Sequence, residues 1–147
     1  MIQTCLVHST SMHQLRNCCL TGISRVPVLL AGDLLSAIVQ AAKIVGDEGF
    51  YLKGHLPEND DVVAWYVPFS NISEYESAGQ GTSPRLSTAT AFEHTLISPS
   101  GKWAIVTSHE DHMLLASNQE FTEAFEPLVS GLENQIFTFL ENWRGIR

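Results

Sequence analysis

Four consecutive residues, His109, Glu110, Asp111 and His112, carry the densest chemistry in this chain. Imidazole titrates near neutrality and ligates metals, and a neighbouring carboxylate can orient it. The helical zinc-protease pattern is H-E-x-x-H, a spacing that sets both imidazoles on one helix face. Here the second histidine arrives one position early, and the surrounding residues read as strand, turn, strand. That pattern is therefore absent. If Glu110 and Asp111 form the middle of a tight turn, His109 and His112 become cross-strand neighbours with β-carbons about 5 Å apart. A zinc site needs three or four protein ligands, so further ligands must come from elsewhere.

His94 is the obvious further ligand, and the expected strand register keeps it away. With Ser98-Pro99-Ser100-Gly101 as a hairpin turn, Ile97 lies opposite Lys102 and His94 opposite Ile105. His109 then sits four residues along its strand, roughly 13 Å distant at the usual rise. His8, His13 and His55 have no readable position. The expectation is that no metal and no cofactor is bound. A solvated turn also leaves imidazole near its ordinary pKa, which is a poor start for acid–base catalysis. No G-x-S-x-G nucleophile motif accompanies it. No catalytic residue is assigned. A metal-dependent or histidine-based enzyme centred on His109 and His112 is the alternative reading.

The same residues read better as a contact surface. Residues 1 to 46 carry a net charge of +2, and residues 47 to 147 carry −10, within a total of −8. A field of that sign repels phosphate backbones, so nucleic acid is excluded as a partner. It favours a basic protein. The expected binding residues are His109, Glu110, Asp111 and His112, joined by Glu74, Tyr75 and Glu76 from a long polar stretch at 70 to 87. That stretch contains "AGQGTSPR", which lacks the G-K-[S/T] of a phosphate loop and reads as plain loop. The leading functional expectation is a small acidic protein-binding module without catalysis. Inhibitors or immunity-type proteins that mask a basic toxin or nuclease are an example by charge and size alone.

These side chains must be positioned by one domain spanning 1–147, as expected at this length. Residues 1 to 30 show no sustained period and read as a short strand and turn, a weak helix near Met12 to Leu20, or a loosely ordered arm. A helix is expected over 33–45, capped by Asp33 and stopped by Gly46. Leu34, Leu35, Ile38, Val39, Ala42 and Val45 make its apolar stripe, and Ser36, Gln40, Lys43 and Asp47 its polar face. Asp33 and Lys43, each costing about 2.5–3.5 kcal/mol in mid-bilayer, argue against a membrane span. No leader with a basic then apolar pattern is evident, and three cysteines with an adjacent pair suit a reducing, cytoplasmic setting.

Strands follow at about 50–54 and 62–68, then a meander at 88–97, 102–108 and 112–116. Ser117-Asn118-Gln119-Glu120 matches a capping box, Pro127 interrupts, and Leu132, Ile136, Phe139, Leu140 and Trp143 form a final helical stripe. The tryptophans are expected in the core, with each indole N–H finding an acceptor. Phe137 falls at the edge of the last stripe and offers a homo-oligomer contact through the C-terminal helix. The fold class is α+β: about five antiparallel strands packed on one N-terminal and two C-terminal helices.

Overall fold

The computed structural model describes residues 17–19, 32–55, 64–78, 81–83, 85–90, 93–108, 112–134, 137 and 141 of the 147. They form an α+β domain with a single antiparallel sheet. Its strands are β1 (Asn17–Cys19), β2 (Gly49–Gly54), β3 (Ala64–Pro68), β4 (His94–Ile97), β5 (Trp103–Ser108) and β6 (His112–Ser117). Across the sheet they run β1-β6-β5-β4-β2-β3. The expected meander β4-β5-β6 is its centre. A short strand from the unreadable N-terminal region adds the outermost edge, pairing Cys18 with Ala116.

Helix α1 (Gly32–Ile44) starts one residue before the expectation, so Asp33 lies in its first turn and is not its cap. A carboxylate there still opposes the positive end of the helix dipole. Leu35, Ile38, Ala42 and Val45 are buried as the period requires, and Ala37 and Ala41 join them. Leu34 and Val39 are only half-buried. Gly46 ends the helix at φ +93, with its N–H bonded to Lys43 O and the Asp47 N–H to Ala42 O. That pair of bonds is the Schellman arrangement, and it requires the left-handed conformation that glycine adopts at no steric cost.

The segment 70–87, expected as a loop, carries a 3-10 turn at Phe69–Asn71 and helix α2 (Ile72–Ala78). The expected strand start at 88 is instead a helical turn, α3 (Ser87–Thr90). These pieces are too short for a full amphipathic repeat, and packing decides them: Tyr75, Ala78, Leu86 and Ala89 are all buried. Helix α4 (Gln119–Phe125) is capped by Asn118, whose side chain accepts from Phe121 N–H at 2.9 Å. The cap thus falls one residue after Ser117, which ends β6. Pro127 sits in a 3-10 turn at Glu126–Leu128, and residues 132–134, 137 and 141 are again helical.

One face of the sheet carries the core. Phe50, Leu52, Leu96, Trp103, Ile105, Met113 and Leu115 point into it and meet α1 and α4. Trp103 stacks on Phe121 at 5.4 Å, and Phe121 on Phe125 at 5.8 Å. Burying each such side chain contributes about 1.5–3 kcal/mol.

Two registers differ from the expectation. Ile97 pairs with Ala104 and His94 with Thr107, a shift of two residues. The turn is correspondingly longer, closed by Gly101 N–H to Ser98 O and by Ser98 N–H to Trp103 O. Because the side-chain period is two, the shift preserves which residues face the core. In the second hairpin His112 pairs with Ser108. His109 is therefore not its cross-strand neighbour, and the connection is 109–111, not a two-residue tip.

Candidate functional site

Asp47, expected on the polar face of α1, lies past the helix end and is buried, 6% exposed. Its carboxylate gathers donors from the β4–β5 turn. Oδ2 accepts from Ser98 Oγ at 2.7 Å, Ser100 Oγ at 3.1 Å and Trp103 Nε1 at 2.9 Å, while Oδ1 accepts from Ser100 N–H at 3.1 Å. Lys102 from the same turn reaches Val45 O at 2.8 Å and Glu120 at 2.9 Å. A buried carboxylate is tolerable when its lone pairs are filled in this way. The cluster ties the end of α1 to the central hairpin, and its chemistry is structural.

A second polar group lies inside the core. Tyr75 of α2 and His94 of β4 are fully buried, and Thr107 of β5 nearly so. The Tyr75 hydroxyl meets His94 Nε2 at 2.9 Å, and Thr107 Oγ1 meets Nδ1 at 2.9 Å. Thr107 Oγ1 also donates to His94 O at 3.2 Å. The two-residue register shift creates this meeting, since the expected register set Ile105 opposite His94.

Glu74 lies on α2 with its carboxylate clasped by Arg85: Nε donates to Oε1 at 2.8 Å and Nη2 to Oε2 at 2.6 Å. Asn71 adds a third donor at 2.8 Å, and the guanidinium lies 5.8 Å from the Trp65 ring centre. The bidentate bonds and charge of Arg85, with a smaller part from Ser83, hold the Glu74 carboxyl below its usual range. Arg85 is raised in return, first by the same bonds.

The three expected contact residues of α2 differ in what they present to a partner. Tyr75 faces inward onto His94 and offers nothing to a partner. The Glu74 charge is neutralised by Arg85, which also accounts for the "AGQGTSPR" arginine. Glu76 is exposed. His109, Glu110 and Asp111 lie outside the described residues, as do Trp143 and the expected arm apart from β1; His112 is placed by its backbone pairing at the start of β6. Among the described residues no three His, Cys, Asp or Glu gather closely enough to hold a metal ion. No described helix is long and apolar enough to cross a membrane.

A concave surface lies elsewhere. Asp33, Ser36 and Gln40 of α1 face Leu128, Val129 and Ser130 across a groove of about 450 Å³. Asp33 is its sole ionic group among the described residues. Helix α4 and its 3-10 extension, which leads into Leu128, expose Glu120, Glu123 and Glu126, of which Glu120 is paired with Lys102. From Trp103 to Trp143 the chain contains seven acids and no lysine or arginine. That run was readable without coordinates, whereas the groove, built by segments ninety residues apart in the chain, was not.

The described residues form an α+β arrangement with helices packed on one face of an antiparallel sheet. The chain matches no protein-family model, no curated protein and no solved structure.

Proposed function

We propose that this domain is a binding module whose partner is a basic protein, held against the helical layer. The observation that carries the reading is the groove between α1 and residues 128–130. It combines Asp33 and three neutral polar side chains with Leu128 and Val129, has no described cation in its wall, and lies two residues along the chain from the exposed Glu126. An amphipathic segment bearing lysine or arginine fits such a wall: its apolar side chains cover Leu128 and Val129, and its charge meets Asp33. The nearest cation of the hairpin, Lys102, is engaged by Glu120 and Val45 O and does not oppose this field. An inhibitor or immunity-type protein that masks a basic toxin or nuclease is one role of this kind.

The test is a comparison of retained proteins from source cells at physiological salt, using the wild-type chain and the charge-altered variants Asp33→Asn and Glu123→Lys/Glu126→Lys. A basic protein should be retained by the wild type and lost in the variants, and its retention should weaken as salt rises. If nothing retained depends on these carboxylates, the reading is wrong.

A further inference from the structure

The described helices cover one face of the sheet, and among the described residues no helix lies on the other. On the outer face Tyr66, Tyr51, Ile97 and Ala104 follow one another across β3, β2, β4 and β5 in one row, in which the first three are exposed and Ala104 is buried. The next row runs Ala64, Lys53, Thr95, Val106 and Leu114. Tyr51 and Tyr66 are each 42% exposed, their ring centres 5.4 Å apart, and Ile97 and Val106 remain 37% and 38% exposed. An antiparallel sheet that faces water normally alternates apolar inward with polar outward. Here the outer face instead carries Tyr51, Tyr66, Ile97 and Val106, exposed beside Lys53 and Thr95.

The charge on this face is the second observation. The chain carries sixteen acids, yet within these two rows the single ionic group is Lys53. Lys53 has no ion pair among the described residues. Carboxylates lie at the rim: Glu48 is exposed at one end of β2, and Glu93 lies at the other, where its backbone carbonyl accepts from His55 N–H. A basic partner therefore finds nothing to bind here. A second copy does. Two copies of net charge −8 repel one another across the acidic helical layer, and this is the described surface on which they meet without that repulsion. Each copy's Lys53 is then opposite in sign to the other's acidic rim.

The size of the face sets the strength. Five strands of about 4.8 Å each and about five residues of length make a flat area of roughly 400 Å² per copy. Doubled, that lies below the ~1,200 Å² under which weak, transient pairs fall. We propose that this outer face is where two copies of the chain pair, sheet against sheet about a two-fold axis, as a weak reversible dimer. Tyr51, Tyr66, Ile97 and Val106 form its apolar centre, and the C-terminal helix is not part of it.

Sedimentation of the full chain from micromolar to submillimolar concentration tests this. The average mass should climb from one chain toward two, and added salt should strengthen the pairing, because it screens the repulsion between copies. Basic-partner binding responds to salt in the opposite direction, so the two readings fail separately. Val106→Lys and Tyr66→Lys, made individually on exposed positions, should each hold the chain monomeric across the range while keeping its far-UV circular dichroism. Either one that folds suffices. Phe137→Lys, on the exposed ring of the last helix, should leave pairing unchanged. A monomer at every concentration overturns the proposal, as does a dimer that survives the face variants or is lost with Phe137→Lys.

Discussion

The Trp103 indole donates to Asp47 Oδ2 over 2.9 Å, joining residues separated by fifty-six positions in the chain. Both partners are buried, and the same carboxylate oxygen takes the Ser98 and Ser100 hydroxyls. Asp47→Ala removes a charged acceptor from four donors at once and leaves the indole N–H without it. Hydrogen bonds to charged groups contribute about 1.5–3 kcal/mol each and are not additive, so a loss of about 3 kcal/mol is expected in urea unfolding. In a double-mutant cycle with Trp103→Phe, Asp47→Ala should show coupling of about 1–2 kcal/mol. Coupling near zero would mean that the bond has no energetic weight.

The core histidine makes a prediction about a proton. Thr107 has one hydroxyl hydrogen, and the His94 carbonyl is the neighbour toward which it can only donate. The Thr107 oxygen then accepts from Nδ1–H, and Nε2 accepts from the Tyr75 hydroxyl. Nitrogen-15 shifts of the imidazole should therefore report a proton on Nδ1 and an acceptor at Nε2; the opposite tautomer would contradict this. Tyr75→Phe and Thr107→Val should each cost about 1–2 kcal/mol in denaturant, since each takes a partner from a buried polar ring.

The Glu74–Arg85 pair contributes in a defined pH window. The folded carboxyl titrates below the ordinary 4.5 of glutamate, so the unfolded chain binds its proton first as pH falls. The stabilisation is fully present above 4.5 and fades as pH drops through the lower folded value. Melting temperature followed from pH 6 downward should fall less steeply in Glu74→Gln than in the wild type. Equal slopes would remove the pair from the acid response. Because the pair is solvent-accessible, the difference should shrink at high salt.

Gly54 is a steric prediction. A β-carbon built there meets Ala89 Cα and O at 2.8 Å, and backbone cannot swing aside as a side chain does. Gly54→Ala should push α3 away from β2 at a cost of about 1–3 kcal/mol, the usual range for overpacking. Gly54 pairs with His94. Amide shifts should therefore move along β4 as well as in α3. A variant as stable as the wild type would mean that α3 is free to move.

The elements that repeat their own period were legible in the sequence. Helix α1 announces itself through Leu35, Ile38, Ala42 and Val45, and Gly46 marks its end because the left-handed turn there admits few other residues. The strands of the central meander alternate over enough residues to be read, and so the α+β class followed. Residues 70–90 did not follow, because α2 and α3 span 7 and 4 residues and carry no period of their own. Tyr75 is an ordinary loop aromatic in the sequence and becomes a core residue only because β4 brings His94 to meet it.

What the sequence by itself determined is the type and order of the longer elements and the sign of the charge, since both depend on neighbours along the chain. The register of His94 against Thr107, the burial of Asp47, the meeting of α1 with residues 128–130 and the apolar outer row from Tyr66 to Ala104 were decided by the tertiary structure. Each depends on groups distant in the chain, and a two-residue change in turn length alters those partners while leaving every local pattern as it was.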